Sequence, residues 1–305
     1  MTATLTGKVE EYLRLRRALG FKLKYEGLIL PQFAAYLEQH CAPTVTTADA
    51  IAWAQLPQGV HPVTWTHRLS AVRSFAAWLR TTDPAAEIPP AGVFPGQGKR
   101  PAPFIFSPGD ITRLVSASAN LRPAMRAATY TALFGLLAIT GIRIGEALTL
   151  QAGSIDLDAG LLSVSPAKSR CERILPLHPS TVQALADYAA LRRRKHPRAR
   201  TFFVSIRGTA LCYSPVREAF RQVCAAAGLD SDGHRRRIHD LRHSFAVTTL
   251  LTWYRSGEDV AAQMPALSGY LGHISPEGTY WYLSAVPELM QLAAARLARR
   301  EAGDE

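Results

Sequence analysis

A segment rich in proline and glycine divides this chain into two parts. EIPPAGVFPGQGKRPAPF, at residues 87–104, holds five prolines and three glycines and has no hydrophobic period. Because proline lacks a backbone N–H and glycine favours other backbone conformations, such a segment does not continue a helix or a central strand. The sequence therefore predicts a first domain at 1–88, a linker at 89–106 and a second domain at 107–305.

The first domain is predicted to be a small helical bundle. Its clearest helix carries apolar residues at alternating steps of four and three, which form one face. These residues are Trp65, Leu69, Val72, Ala76 and Leu79. Further helices are predicted near 5–19, 26–40 and 46–55. Arg68 and Arg73 fall on other faces of the same helix, where they either stay solvated or contact phosphate.

The second domain is predicted to be mainly helical. Ser107 and Pro108 suit the N-cap and the first position of a helix, and Gly141 suits the end of another. Ser180 and Ser214 are placed to begin two later helices. Additional helices are predicted at 127–139, 239–254 and 286–300. The last of these carries an apolar stripe that packs either on its own domain or on another protein. The stripe consists of Val286, Leu289, Met290, Ala293 and Leu297.

One short β-hairpin interrupts this helical pattern. LLSVSPAKSRCERILPL, at 161–177, is typical of two short strands joined by a turn at 166–170. Lys168 would lie at the tip of that hairpin. The predicted fold class is therefore mainly α, with a small β-sheet confined to the second domain.

The charge of the chain indicates a polyanionic partner. The formal net charge is +11 and the pI is about 9.8, which suits nucleic acid or an anionic membrane surface. The longest apolar run, near 130–142, is too short to span a bilayer, and the N-terminus lacks the apolar core of a signal peptide. The four cysteines show no metal-ligand spacing. These features predict a soluble cytoplasmic protein, which a DNA partner, if present, would associate with the nucleoid.

Several familiar catalytic motifs are missing from the sequence. There is no phosphate loop, no GxGxxG after a strand, no HExxH and no GxSxG. What the sequence offers instead is a spaced set of cations. Arg143 precedes Glu146 by three residues, and His239 precedes Arg242 by three, which places each pair on one helical face. Either pair alone is more often structural than catalytic.

Taken in order, these segments resemble the tyrosine recombinase (phage integrase) family. TGIRIGEALTL is similar to the family's first arginine box, HDLRHSFA to its His-x-x-Arg box, and LGH with a tyrosine nine positions later to its third box. The segment AKSRCERILPL resembles the family's β2–β3 turn. The stretch from Phe245 to His273 is longer than the family's usual spacing. The lysine turn reads Pro-Ala-Lys-Ser instead of the usual glycine-flanked lysine.

The resemblance implies a two-domain architecture and a reaction. The first domain would be a helical core-binding domain that grips DNA, and the second an α+β catalytic domain. A tyrosine hydroxyl would attack a DNA phosphorus and form a 3′-phosphotyrosine, and religation to a partner strand would complete strand exchange. Arginines would clamp the nonbridging oxygens, histidines would add donors and a lysine would protonate the leaving oxygen. The implied catalytic residues are Arg143, Lys168, His239, Arg242, His273 and Tyr282.

The reaction so implied requires no cofactor and no metal. Tyr282 has the family spacing and is favoured over Tyr280 as the nucleophile, which leaves Tyr280 and Trp281 as packing residues. Partners would be double-stranded DNA sites and other protomers in a synaptic tetramer, onto one of which the last helix would dock. Residues predicted to bind DNA are Arg68, Arg73, Lys99, Arg100, Arg235, Arg236 and Arg237.

Two other functions are compatible with the same resemblance. One is a DNA-binding protein that keeps the fold without cutting, and the other is a type IB topoisomerase-like enzyme that nicks and closes DNA. Because all six catalytic positions are filled, the first alternative is disfavoured. The compact size of the chain and its close match to the integrase boxes disfavour the second. Integration or recombination of DNA, for example of a mobile element, is the leading hypothesis.

Overall fold

The computed structural model describes residues 4–95, 102–165, 172–230, 235–273, 275 and 277–302. The chain forms two compact units, at 1–101 and 102–305. The first unit has one hydrophobic core, and the second has two hydrophobic clusters. Among the helices in these described ranges, none combines the length and the apolar content needed to cross a membrane.

The first unit is helical, as the sequence predicts. Its helices are α1 (Leu5–Ala18), α2 (Glu26–Gln39), α3 (Thr47–Gln55) and α4 (Val63–Leu79). Threonines begin two of them: the Thr4 hydroxyl accepts a hydrogen bond from the Gly7 N–H, and Thr46 accepts one from Asp49. The predicted stripe of α4 is confirmed, because its last four members are buried in the core and Trp65 packs against them.

Two arginines of α4 that were predicted to contact phosphate are held inside this unit. The guanidinium of Arg68 lies 3.6 Å from the ring centroid of Trp53 and donates to the Trp53 carbonyl at 3.0 Å. Burial lowers the pKa of Arg68. Arg73 Nε donates to the Pro89 carbonyl at 2.8 Å. These contacts favour a packing role for both side chains, and contact with phosphate remains a prediction.

The second unit combines helices with one small sheet. Its helices are α5 (Pro108–Ala119), α6 (Ala124–Thr140), α7 (Ile144–Thr149), α8 (Pro179–Lys195), α9 (Tyr213–Ala226), α10 (Ile238–Arg255), α11 (Val260–Leu271), α12 (Glu277–Ala285) and α13 (Pro287–Ala302). The strands are β1 (Ile155–Asp156), β2 (Leu161–Val164) and β3 (Arg173–Pro176). The prediction of a mainly helical fold with a small antiparallel hairpin is confirmed.

The predicted helix ends are partly confirmed. Ser107 begins α5 as predicted, and its hydroxyl and the Asp110 carboxylate form a reciprocal capping box. Two other predicted starts are wrong. Ser180 and Ser214 each lie one residue inside a helix that begins earlier, because His178 and Cys212 hold the extended backbone conformation of the N-cap position.

The register of the hairpin points one cation inward. Val164 pairs with Arg173, and Leu162 pairs with Leu175, in an antiparallel ladder. Side chains alternate between the two faces of a strand, so Arg173 and Leu175 share the buried face while Ile174 is 64% exposed. The predicted hairpin tip with Lys168 lies outside the described residues.

The long stretch before His273 folds as an additional helix. Helix α10 ends at Arg255, and the side chain of Asp259 caps α11 by accepting from the N–H groups of Ala261 and Ala262. Met264 and Leu267 bury one face of α11 against α10. The excess length relative to the family spacing is thus absorbed without displacing the third box.

Helix α13 packs on its own unit, against α10 and α12. Leu289 is fully buried, and Glu288 forms an exposed ion pair with Arg255 at 2.6 Å. Met290, another member of the predicted apolar stripe, is 55% exposed. In this single chain the stripe is therefore only partly buried, and its docking onto a second protomer remains a prediction.

Candidate active site

Arg143 is anchored at the start of α7. Its backbone N–H donates to Glu146 Oε2 at 2.8 Å, and its Nη1 lies 3.1 Å from Glu146 Oε1. Its Nη2 donates to the Gly272 carbonyl at 2.8 Å. Gly141 precedes it with a left-handed φ of 60° and ends α6; a Cβ there would lie 2.6 Å from the Phe245 ring. The Arg143 side chain remains 28% exposed, so an incoming ligand can reach it.

Arg242 lies in the second turn of α10 and is nearly fully buried. Its Nη1 donates to the Gly141 carbonyl at 2.8 Å, and its Nη2 donates to the Leu271 carbonyl at 2.7 Å. Burial, followed by repulsion from Arg143, lowers the pKa of Arg242 to about 10. The side chain therefore stays charged at neutral pH and joins the ends of α6 and α11 to α10.

A third arginine, itself buried, completes the cluster and was not among the predicted site residues. Arg173 Nη2 lies 2.9 Å from Glu146 Oε2, and its Nη1 donates to the Leu271 carbonyl at 2.8 Å. The contact with Glu146 is close but not aligned as a hydrogen bond, so charge attraction carries it. Glu146, itself 2% exposed, thus bridges Arg143 and Arg173.

His273 follows directly after the glycine that ends α11. Gly272 has a left-handed φ of 66°, and His273 Nδ1 lies 2.7 Å from the hydroxyl of the buried Thr279. Burial is the main cause that lowers the pKa of His273 to about 4, and the charges of Arg242 and Arg143 lower it further. At neutral pH the imidazole is therefore uncharged, and its Nδ1 is fixed by Thr279.

Two histidines of α10 stand one turn apart beside the third box. The rings of His239 and His243 are 4.6 Å apart between centroids, as the i, i+4 spacing requires. His239 is exposed, whereas His243 is buried with its Nδ1 3.3 Å from the hydroxyl of Tyr282. His243 was not among the predicted site residues, although its spacing from His239 placed it on the same face.

The two tyrosines of α12 have opposite environments. Tyr282 is 2% exposed, and its ring is stacked 6.3 Å from that of His273. Trp281 packs on His243 and on Tyr282, as a packing residue should. Tyr280 is 49% exposed, so its predicted packing role is wrong. Residues two apart on a helix point in different directions, and here the outward one is Tyr280.

The remaining predicted DNA-binding residues fall into two groups. Lys99 and Arg100 lie outside the described residues. The Arg236 guanidinium stacks 3.6 Å from the Phe104 ring centroid. Arg237 pairs with the buried Asp240 at 2.8 Å, and Arg235 is exposed on the same segment. DNA contact by these residues stays a prediction.

The assembled cluster has the charge of an anion site. The cluster holds three guanidinium groups and one carboxylate, that of Glu146, which pairs with Arg143 and Arg173. Two positive charges are therefore uncompensated among the described contacts. Such a cluster is stabilised by an anion with several oxygen acceptors, for which the planar guanidinium fork is suited. The residues brought together are Arg143, Arg173, His239, Arg242, His243, His273 and Tyr282. Within the described residues, no group of three or more His, Cys, Asp or Glu side chains could hold a metal ion.

Comparison with known proteins identifies relatives in sequence and in fold. The model of the phage integrase family matches residues 106–288. The chain is 40% identical to y4rB of Sinorhizobium fredii (strain NGR234), whose name places it among integrases and recombinases, over 98% of each chain. It is 28% identical to the tyrosine recombinase XerC of Yersinia pestis, covering 73% of this chain and 69% of that one. In fold it is similar to the Tn1549 transposon integrase in complex with transposon right end DNA, with a TM-score of 0.69, 16% identity and coverage of 97% of this chain and 99% of that one.

Proposed function

Since the chain belongs to the phage integrase family and is a tyrosine-type site-specific recombinase, we propose that it cuts and rejoins DNA through a covalent bond between Tyr282 and a 3′ phosphate. The observation that supports this chemistry is the convergence of residues from chain-distant segments. Arg143, Arg242 and His273 lie in three separate sequence boxes, yet the two arginines donate to the carbonyls of Gly272 and Leu271, the residues immediately before His273. Tyr282 stacks on His273.

The cationic cluster is suited to the charge that develops during phosphodiester cleavage. The attacked phosphorus passes through a five-coordinate state whose nonbridging oxygens carry more negative charge than those of the starting diester. Arg143 and Arg242 would clamp these oxygens with paired N–H donors, while His239 and neutral His273 would donate further hydrogen bonds. Because the donors are held by protein groups before DNA arrives, little reorganisation is needed during the reaction.

Each bond change in the proposed reaction balances without a cofactor. The hydroxyl oxygen of Tyr282 bonds to phosphorus, and the bond from phosphorus to the 5′ oxygen breaks. Lys168, in the predicted hairpin turn, would give the departing 5′ oxygen a proton, and the phenolic proton is released to a base or to water. Attack by the 5′ hydroxyl of a partner strand reverses these changes and exchanges the strands.

The resting position of Tyr282 requires a movement before this attack. Reacting atoms must come within about 3–3.5 Å of each other, whereas Tyr282 is buried among His243, Trp281 and His273. We therefore infer that DNA binding is coupled to a shift of α12 that opens the buried hydroxyl to a phosphate bound at the cluster. The exposed side of the site, formed by Arg143 and His239, would receive the phosphate first.

The proposal includes partners and a biological setting. Two double-stranded DNA sites and further protomers, in a synaptic tetramer, are the partners that strand exchange requires. The basic residues of the linker and of the segment before α10 would hold the DNA backbone. The similarity in fold to a transposon integrase favours a mobile element as the DNA that is moved.

The test is covalent capture on a nicked duplex. A DNA site is first recovered by selection from random duplexes, and a nick beside the cleavage position lets the short leaving strand diffuse away. Wild-type protein should give a protein–DNA band on a denaturing gel, and chelation of metals should leave this band intact.

Two substitutions on the same helix provide a matched comparison. Tyr282→Phe should abolish the band, and Tyr280→Phe, which removes the same hydroxyl from an exposed position two residues away, should retain it. A band that survives Tyr282→Phe and disappears with Tyr280→Phe would reverse the assignment of the nucleophile. Specific DNA binding by wild-type protein without any band would support a protein that binds without cutting.

A further inference from the structure

We propose that Arg173 is a positioning residue for the recombination reaction, acting through Glu146 and through the backbone that carries His273. This inference rests on the proposed function, since it names how the cationic cluster is held in place. Arg173 follows the hairpin tip on β3, outside the three sequence boxes, and contacts both ends of the cluster.

The first link runs from Arg173 to Arg143. Arg173 Nη2 lies 2.9 Å from Oε2 of Glu146, and that same oxygen accepts the backbone N–H of Arg143. The other carboxylate oxygen pairs with the Arg143 guanidinium. Since Glu146 is 2% exposed, water offers its carboxylate little alternative solvation. Removing Arg173 would leave Glu146 to reorient toward Arg143 alone, and this would displace the guanidinium that is open to an incoming phosphate.

The second link runs from Arg173 to His273. Arg173 Nη1 donates to the Leu271 carbonyl, which also accepts from Arg242 Nη2. The next carbonyl along the chain, that of Gly272, accepts from Arg143. Three arginines thus hold two consecutive carbonyls immediately before His273, and Arg173 is the member of the three that comes from the sheet.

The close approach of Arg173 to the backbone explains the residue at position 272. A Cβ at Gly272 would lie 1.3 Å from Arg173 Nη1 and 2.5 Å from its Cζ. The guanidinium therefore fills the space that any other side chain at position 272 would occupy. The left-handed φ of 66° is a second reason for glycine at this position. Arg173 is buried, as Arg242 is, but its charge is paired with the Glu146 carboxylate, whereas Arg242 contacts backbone carbonyls. We therefore assign Arg173 an action through its neighbours and not on the phosphate itself.

A merely structural arginine elsewhere in the unit provides the control. Arg192 is also buried and donates from Nη1 to the carbonyl of Thr201, but it lies in the last turn of α8 and contacts no member of the cluster in the described structure. The variants are Arg173→Met, Arg173→Lys and Arg192→Met. The lysine variant keeps a positive charge near Glu146 but lacks the planar fork, so it also covers the case in which the methionine variant does not fold.

The readout is the single-turnover rate of covalent complex formation, measured at saturating protein on two substrates. One carries an ordinary phosphate at the cleavage position. The other carries a methylphosphonate, in which a methyl group replaces a nonbridging oxygen and removes the negative charge. A misplaced Arg143 matters less on the neutral substrate, whereas partial unfolding lowers the rates on both substrates by the same factor. Thermal melting and gel-shift affinity are measured alongside.

We expect Arg173→Met to slow cleavage of the phosphate substrate about 100-fold, the loss typical of a misplacement near 1 Å. On the methylphosphonate substrate the same variant should be slower than wild type by only about 10-fold or less, because this substrate lacks the negative charge on which Arg143 acts. Arg173→Lys should lie between wild type and methionine, and Arg192→Met should melt earlier without changing the rate of the folded protein. Equal losses on the two substrates, or a wild-type rate for both Arg173 variants, would overturn the inference. Failure of wild-type protein to form any complex would instead refute the proposed function.

Discussion

Replacing Glu146 with glutamine should destabilise the second unit because it removes the anion from a cationic cluster. The two partners of this carboxylate differ in exposure: Arg173 is 8% exposed and Arg143 is 28% exposed. Solvent therefore screens the pair with Arg173 least. Removing one partner of a buried ion pair typically costs about 3–5 kcal/mol, and the partial exposure of Arg143 places Glu146→Gln at the lower end, at about 3 kcal/mol.

That loss can be measured as a thermal shift. For a unit of this size, about 3 kcal/mol corresponds to a fall in the unfolding midpoint of about 6–12 °C. Circular dichroism or calorimetry of the full chain would record the transition. Glu218→Gln is the matched control, since Glu218 pairs with Arg221 at 2.6 Å on the exposed surface of α9 and its loss should leave the midpoint unchanged.

An added anion separates this explanation from a general packing defect. Sulfate that binds the folded state raises the free energy of unfolding, and this increase is larger when the protein binds sulfate more tightly. With Glu146 neutral, three guanidinium groups are uncompensated, so the variant should gain more from sulfate than wild type does. The Glu218→Gln protein corrects for the nonspecific effect of sulfate. An unchanged midpoint for Glu146→Gln, or an equal sulfate gain in the variant and in wild type, would refute the reasoning.

Further predictions concern the end of α11 and its histidine. Gly272→Ala should lower the unfolding midpoint and slow covalent complex formation, because the added Cβ meets the Arg173 guanidinium. Gly160→Ala is the control: Gly160 has the same φ of 66°, but its added Cβ meets no atom closer than 3.5 Å, so this variant should show the backbone strain alone. Equal losses for the two variants would contradict a role for the clash. The pKa of His273 is lowered from 6.5 to about 4, so the unfolded chain binds a proton more readily than the folded one across that interval. Stability from this group is complete above pH 6.5 and is lost as pH falls toward 4, with a slope of at most about 1.4 kcal/mol per pH unit. Urea unfolding at several pH values should show a shallower acid loss for His273→Gln than for wild type, and parallel curves would contradict the assignment.

Much of the fold could be predicted because helix caps, apolar stripes and helix-ending glycines depend on residues that are close in sequence. The Ser107 cap, the stripe of α4 and the left-handed Gly141 depend on residues within a few positions of each other. The starts of α8 and α9 were misplaced because serine was preferred as the capping residue, whereas the backbone begins each helix at an earlier extended residue. Capping preferences fix a helix start only to within one or two residues.

The predicted catalytic residues all lie in the sequence boxes or in the lysine turn. Arg173 and His243 were not predicted, because only the folded geometry shows their contacts with the cluster. Arg173 lay within a quoted segment, and the alternation of β3 could have revealed it. A strand that buries Leu175 also points Arg173 inward, and a buried cation needs a partner. The environment of Tyr280 could not be predicted in the same way. Helical spacing separates it from Tyr282, but which side faces the core depends on where α12 packs.

The burial of Tyr282 has a consequence for the chromosomal DNA that this protein encounters. A chromosome offers on the order of a million or more phosphates that are not the target, and a permanently exposed phenol beside a cationic clamp would nick some of them. If Tyr282 is the nucleophile, as proposed, its enclosure at 2% exposure would leave the strand intact in a nonspecific encounter with DNA. Only a duplex that repays the opening of α12 with its own contacts would meet the nucleophile. In the proposed reaction, discrimination between DNA sites therefore lies partly in this conformational step and not solely in the reading of bases.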